Sequence, residues 1–325
     1  MFRYIVKRIL INVLLLLIAS MLIFALVNIS DTDVTYSILG NNYTEEAAAA
    51  LRARLGLDQP KIVQYFQYMG NLLRGDLGVS YATGKTVVSE IARRILPTVT
   101  ISLAGLALAV VVGISLGMLS AVKQYTWIDY VISAVTMCLQ AMPAFFLALL
   151  LMLLFCVQLK WLPTFGISSW KGYILPVICG SLPYVSSFIR NTRSAMLDTI
   201  RQDYVRTARS KGANERSIMF VHALRNAMLP IASMIGGIMA GLMGGSMVVE
   251  NVFQIQGMGL LIQNAINNKD IPLIMGTILF MAAFYTFSMI LVDIVFTLID
   301  PRVKSTLIKS NGPLLRKKRQ EVFEK

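Results

Sequence analysis

Residues Asp203–Pro230 read DYVRTARSKGANERSIMFVHALRNAMLP. The run is polar and basic, yet segments apolar enough to cross a membrane stand on both sides of it. A connection between two spans needs only a few residues, so an insert of this length with helical patterning requires a reason. Asp203 to Lys211 holds good helix formers, Gly212 breaks the pattern, and Asn214 is placed to cap a second helix. In that second helix Ile218, Val221, Leu224 and Met228 recur at three- and four-residue spacing and make one apolar stripe. Two short helices about a glycine beside a membrane have two readings. They form a docking surface for a soluble partner, or an interfacial pair resting on lipid headgroups.

The flanking chain defines the setting. Of 325 residues, 56% are hydrophobic and only 14% charged, and the mean hydropathy is +0.66. A soluble domain of this size carries about 25% charged residues. A membrane-spanning helix needs about 20 mostly apolar residues, and six segments qualify: Ile9–Ile29, Leu96–Val122, Val131–Gln158, Gly172–Asn191, Met228–Glu250 and Pro272–Leu298. Arg3, Lys7 and Arg8 precede the first as they would precede a signal peptide. Its apolar stretch exceeds the roughly 7–15 residues of a signal core, and no Ala-x-Ala-like site follows, so it reads as a retained span. The expected fold is an all-α polytopic membrane protein with six transmembrane helices and a small extracytoplasmic helical insert. Its expected divisions are 1–29 (N-terminus and first span), 30–95 (extracytoplasmic helical subdomain), 96–300 (a five-helix transmembrane core with a cytoplasmic loop at 192–227) and 301–325 (a basic cytoplasmic tail).

The net charge of +13 follows the same topology. Six spans put both termini on one side. The basic residues before the first span, Lys123, those of Arg190–Arg225 and those from Arg302 onward all fall on that side. The long loop Ser30–Ile95 carries Arg52, Arg54, Lys61, Arg74, Lys85, Arg93 and Arg94, which the positive-inside rule discounts because long loops translocate regardless of charge. Both termini are therefore expected in the cytoplasm, and the charge gives no support to a nucleic-acid role. Within the long loop Thr44 is a helix N-cap, Glu45 and Glu46 suit a first turn, and the helix stops before Gly56 and Pro60. An amphipathic stretch from Ile62 to Leu73 precedes the Gly75-Asp76 turn. Acidic and basic residues balance there, which suits contact with a soluble protein and equally an ordinary solvated cap.

The Asp203–Pro230 run resembles the cytoplasmic coupling loop of ABC-importer permeases, in the branch serving dipeptides, oligopeptides and nickel. The general importer pattern is Glu-Ala-Ala, three residues, Gly, then a later Leu-Pro. Here Arg206, Thr207 and Ala208 take the first three positions, Gly212 follows at the right distance, and Leu229-Pro230 closes the motif. The missing acidic residue and the longer distance to Leu-Pro are departures that this branch shows, with its RTARAKG-like core. LGLDQP (Leu55–Pro60), GDLGVS (Gly75–Ser80) and the terminal DPR (Asp300–Arg302) extend the resemblance over nearly the whole chain.

The resemblance implies a multi-pass permease subunit in a bacterial or archaeal cytoplasmic membrane, forming half of a pathway for peptides. It implies four kinds of partner: a paralogous second permease, two ABC ATPase subunits, an extracytoplasmic substrate-binding protein and the lipid bilayer. ATP and magnesium belong to the ATPases, so no cofactor or metal is expected on this chain. Tyr204, Arg206, Thr207, Ala208, Lys211, Gly212 and Ala213 are the implied ATPase-coupling residues. Nickel or a metal chelate is the alternative cargo. A secondary transporter or channel is the alternative of a different class, but such folds commonly carry internal repeats, and none is visible between the two halves of the sequence.

Inside the spans, Ala109, Gly113 and Gly117 make a small-residue face in the second, and Gly237, Gly241 and Gly245 make one in the fifth, with Ala240 and Gly244 beside them. Such faces let helix backbones approach closely. Packing within the subunit is the reading for the second span; the resemblance adds a pore-lining role for the fifth. Pro176, Gly180 and Pro183 predict a kinked fourth span. The polar groups noted at membrane depth are Gln140 near Pro143, Glu250 and Asn251 at the outer end of the fifth span, and Asp293. An ionisable group in a span is a functional candidate, and Glu250-Asn251 are placed where substrate would enter. Asp293 is expected to join a structural ion pair near the cytoplasmic face.

Enzyme chemistry finds no footing. Gly78–Thr86, GVSYATGKT, resembles the phosphate loop G-x-x-x-x-G-K-[ST]. However, five residues separate its glycines, Val79 holds the required glycine position, and the orientation places it outside the cell. His222 is the only histidine and lacks partners at ligand spacing. Cys138, Cys156 and Cys179 lie in predicted spans with no framework for a disulfide or metal.

Overall fold

The computed structural model describes residues 2–29 and 34–299, and apart from one antiparallel bridge between Val79 and Thr86 the regular elements there are helices. The first span is α1 (Phe2–Ile29), followed by α2 (Val34–Leu39), α3 (Glu45–Leu55) and α4 (Lys61–Leu73). Next come α5 (Val87–Val122), α6 (Trp127–Ala141), α7 (Ala144–Met152, continued by a π-helical stretch Leu153–Gln158) and α8 (Ile174–Ile200). After α9 (Asp203–Ser210), the short α10 (Glu215–Ser217) runs through a π-helical turn Ile218–Ala223 into α11 (Leu224–Val252), and α12 (Met258–Asn267) and α13 (Ile271–Ile299) follow. The terminal DPR and the basic tail lie outside the described residues, as does the side chain of Asp293.

The outer helices follow their local signals. The Thr44 hydroxyl accepts from the Ala47 amide at 3.2 Å, and α3 ends at Gly56 with φ +69°. Helix α4 touches α1 through Tyr65: the hydroxyls of Ser20 and Tyr65 are 2.8 Å apart, and the rings of Phe24 and Tyr65 meet edge-on at 5.4 Å.

The core is built on α5 and α8. At 36 residues α5 is about 54 Å long, well beyond one bilayer core. It starts at Val87 rather than at the expected Leu96, and Glu90 pairs with Arg94 in its first turns. A Cβ on Gly113 would come within 2.3 Å of the Phe188 Cβ, and one on Gly117 within 2.6 Å of the Ile189 carbonyl oxygen. With Ala109 fully buried beside them, this face brings α5 and α8 into backbone contact. Val185, Phe188, Ile189 and Met196 of α8 join Ala223, Ala227, Ile231, Ile238 and Leu242 in one apolar cluster. A second cluster joins Ala148, Met152 and Cys156 to Leu175, Cys179, Val249 and Phe253.

The break in the membrane bundle falls in the third span, not the fourth. Val131–Gln158 was expected as one helix, but α6 and α7 meet at 104°. Pro143 has no N–H, and the residue before a proline is pushed out of helical geometry; Met142 is extended at φ −82°, ψ 131°. The bent pair still crosses the bundle. It begins beside Ser120 and Arg193, and the chain beyond it reaches the far end of α11, where the Gly166 amide donates to the Phe253 carbonyl at 2.9 Å. Helix α8 instead continues through Pro183. Pro176 sits in its first turn, where a missing N–H costs nothing, and the helix runs on to Ile200, past the expected limit at Asn191.

Candidate functional site

The connection from α8 to α11 is a helical hairpin whose turn is built by backbone hydrogen bonds. Gly212 adopts φ +83°. Its amide donates to the Arg209 carbonyl at 2.9 Å, and the Ala213 amide reaches the Ala208 carbonyl at 3.2 Å. This paired pattern is the Schellman closure of a helix end, which needs a left-handed residue at its centre and favours apolar residues at its two outer positions. Ala208 and Ala213 fill those positions and are half-buried. The Asn214 side chain then accepts from the Ser217 amide at 2.7 Å and caps α10. Across the turn, the Arg209 guanidinium grips Glu215 through Nε at 2.8 Å and Nη2 at 3.1 Å. The hydrogen bond from Arg209 holds the Glu215 carboxyl below the usual carboxylate range. The clasp is therefore closed at neutral pH and is lost as pH falls through that lowered value.

The hairpin turns one side to the bundle and the other to solvent. Val205 and Ile218 are fully buried. Tyr204, Arg206, Thr207, Lys211 and Gly212 are exposed. Arg206 is 4.0 Å from Asp203, and the Thr207 hydroxyl donates to the Asp203 carbonyl at 3.0 Å. Phe220 and Val221 add exposed apolar surface at 56% and 55%.

That exposure corrects the expected apolar stripe. Val221 faces out, while Ile218 is buried and Leu224 and Met228 are half-buried against the core beside the buried Ala223, Ala227 and Ile231. The π-helical turn at Ile218–Ala223 inserts one extra residue. Past it the inward face is displaced by one position, from the 3.6-residue register to a step of five. His222 is half-buried in this turn, and its carbonyl accepts from the Asn226 side-chain amide at 2.8 Å.

Just inside the bundle, an ion pair between a buried aspartate and a half-buried arginine ties α6 to α8. Arg193 meets Asp129 with Nε at 2.9 Å and Nη2 at 2.8 Å. The Ser120 hydroxyl and the Tyr125 amide also donate to the Asp129 carboxylate. The ends of α5, α6 and α8 are thereby held together next to the hairpin. The sequence gives no hint of this pair, because Asp129 and Arg193 are far apart in the chain and sit in stretches that look like a span start and a cytoplasmic loop.

The pathway candidates divide. Gln140 and Pro143 are exposed beside the break in the third span, and Gln140 accepts from Arg190 Nη1 at 2.8 Å. A Cβ on Gly237 would meet nothing within 4 Å, whereas one on Gly241 would collide with the Tyr184 hydroxyl at 2.4 Å. Gly245 follows Gly241 by one turn on α11. Glu250 does not face an opening. It is fully buried, accepts from the Thr98 hydroxyl at 2.6 Å and from the amides of Gly259 and Leu260 at 2.8 and 3.1 Å, and so caps α12. Asn251 donates to Gln263. The loop that resembles a phosphate cradle is likewise occupied by protein: Ser80 Oγ and the Ala82 amide donate to the fully buried Asp270 at 2.5 and 3.1 Å.

Residues 113–305 match the family described as binding-protein-dependent transport system inner membrane component. Residues 1–104 match the N-terminal membrane component of the same kind of system. A protein of Brucella suis biovar 1 named as a putative peptide permease is 39% identical over 319 residues, covering 94% of this chain and 100% of its own. The glutathione transport system permease proteins GsiC of Salmonella choleraesuis and of Escherichia coli O6:H1 are 37% and 35% identical over 304 residues, each covering 94% of this chain and 99% of their own.

Proposed function

The chain belongs to the inner membrane components of binding-protein-dependent transport systems, and from that premise we propose that it couples the transport of short peptides to ATP hydrolysed on separate subunits. As an ABC-type permease subunit in the inner membrane it is no enzyme itself. It forms half of the pathway, a second permease forms the other half, and a soluble binding protein delivers cargo outside. Both termini and the α8–α11 hairpin face the cytoplasm. Peptide cargo is supported by the relatives named as peptide and glutathione permeases.

The observation that carries this reading is the hairpin itself. Its turn is closed by the paired backbone bonds about Gly212, the Asn214 cap and the Arg209–Glu215 clasp. It is anchored by buried Val205 and Ile218 and continuous with α8 and α11. A stiff element fused to two membrane helices transmits a push, while its exposed Tyr204, Arg206, Thr207 and Lys211 are free to meet an ATPase subunit. Closure of the ATPases would move α9, and α8 and α11 would move with it.

The test is uptake of labelled dipeptide, glutathione and nickel by a strain lacking this gene, with and without the gene restored and with and without cellular ATP. Peptide or glutathione uptake that requires both the gene and ATP is the expected result. Uptake that persists after ATP depletion would favour a secondary transporter.

A further inference from the structure

We propose that the uncovered face of α8 lines the cytoplasmic half of the translocation pathway, and that Arg190, oriented by Gln140, is the contact for a carboxylate carried by the cargo. This inference rests on the permease reading above.

Ser187, Arg190, Asn191 and Ser194 recur at three- and four-residue spacing, which puts them on one side of α8. Arg190, Asn191 and Ser194 are exposed and Ser187 is half-buried. The opposite side, with Val185, Phe188, Ile189 and Met196, is buried in the core. The uncovered faces of α1 and α5 are mainly apolar: Val111 of α5 is 65% exposed and Met21 of α1 65%. Those faces suit lipid. A face of hydroxyl, amide and guanidinium groups does not.

Arg190 lies ten residues before the end of α8, about 15 Å along the axis. Among the described residues no carboxylate lies within ion-pair distance of it, and its one hydrogen bond there runs from Nη1 to Gln140 Oε1 at 2.8 Å. Charged side chains inside spans face a bundle interior or a water-filled cavity. Gln140 stands three residues before Pro143, at the break of the third span. Non-helical backbone at membrane depth persists where protein or a water-filled cavity satisfies it. The polar face of α8 and the break between α6 and α7 are independent features, and they meet at the Arg190–Gln140 contact.

The chemistry of that contact selects the ligand. A guanidinium offers its remaining N–H groups in a planar fork that matches a carboxylate with two parallel hydrogen bonds. Gln140 uses one donor and fixes the plane of the fork. A peptide with a free C-terminus supplies the carboxylate, and passage requires that this contact be one weak station among several rather than a tight site.

Two measurements on the complete complex test the proposal. In inside-out vesicles, with the three native cysteines replaced by alanine, a water-soluble maleimide is expected to label Asn191→Cys and Ser194→Cys much faster than Val111→Cys. Labelling of all three at the same slow rate would place the face in lipid or under protein and overturn the proposal. In proteoliposomes, ATP-driven uptake of a labelled dipeptide is compared with that of its C-terminal amide, each at a concentration that saturates the binding protein. Arg190→Gln is expected to lower uptake of the acid about tenfold while the amide stays within about twofold, and Arg190→Lys to recover part of the loss. Equal loss of both peptides, or loss of neither, would overturn the carboxylate contact. Wild-type uptake of neither peptide would count against peptide cargo itself, and the labelling rates would still decide where the face of α8 lies.

Discussion

Replacing Gly212 separates a mechanical turn from a passive connection. The residue sits at φ +83°, and a Cβ built there meets nothing within 4 Å. Steric contact with the rest of the protein therefore contributes nothing, and the cost is that of holding a side-chain-bearing residue in the left-handed region. For Ala that is roughly 1–2 kcal/mol. For β-branched Val it reaches the upper part of about 1–3 kcal/mol, and for Asn, which visits this region readily, it is smaller. Escaping the strain means giving up the bonds from the Gly212 and Ala213 amides to Arg209 and Ala208, each worth about 1 kcal/mol. Strain and bonds thus nearly balance for Ala, while Val tips the turn open. The expected order of ATP-coupled uptake is Gly, Asn, Ala, Val, with the Val variant reduced about tenfold or more. Membrane abundance should not change, because Gly212 lies outside the long membrane helices and a Cβ there meets nothing within 4 Å. The assay is uptake per ATP hydrolysed, together with co-purification of the ATPase subunits. Wild-type uptake and association in Gly212→Val would refute the coupling argument. An Asn variant as damaged as Val would show that surface contact, not backbone conformation, is what matters.

Three further outcomes follow from other contacts. Arg193→Ala leaves the Asp129 carboxylate, 3% exposed, without its cation, and should destabilise the subunit by about 3–5 kcal/mol; the double variant with Asp129→Asn should recover much of the lost Tm in detergent. Gly113→Ala forces a methyl to within 2.3 Å of the Phe188 Cβ and should cost at least about 1–3 kcal/mol, read as a lower midpoint of thermal unfolding, with Gly237→Ala, which meets no atom within 4 Å, as the mild control. Cysteines at exposed Asp58 and Ser210 should react with an impermeant reagent from opposite sides of the membrane, and reaction of both from outside would contradict the six-span topology.

Features built from neighbours in the chain were legible in the sequence. Thr44, Gly56, Gly212 and Asn214 act through hydrogen bonds spanning a few residues, so residue type and spacing suffice to place them. Hydropathy located the long apolar helices because it sums over a window, but it carries no direction and could not show the 104° bend at Met142–Pro143. Two prolines in the fourth span looked more disruptive than one in the third. Yet Pro176 falls where no amide is needed, and α8 continues through Pro183 under its packing against α5. The π-helical turn at Ile218–Ala223 turned Val221 out and brought Ala223 and Ala227 in beside Leu224 and Met228, a slip that periodicity assumes away. Glu250 looked accessible because it ends a span. Its partner Thr98 lies 152 residues earlier, and only the fold brings them together. The polar face of α8 was present in the sequence as Ser187, Arg190, Asn191 and Ser194, but ending the span at Asn191 left Ser194 outside the pattern.

In the assembled complex the α9–Gly212–α10 hairpin should meet an ATPase subunit. A photoreactive benzophenone attached at Thr207→Cys, which is exposed on α9, tests this in the assembled, transport-active complex in its membrane. The account predicts a covalent adduct with an ATPase subunit whose yield changes between nucleotide-free and ATP-bound states. Adducts with lipid alone, in a complex that still transports, would mean that the hairpin rests on the membrane surface and that the coupling account is wrong.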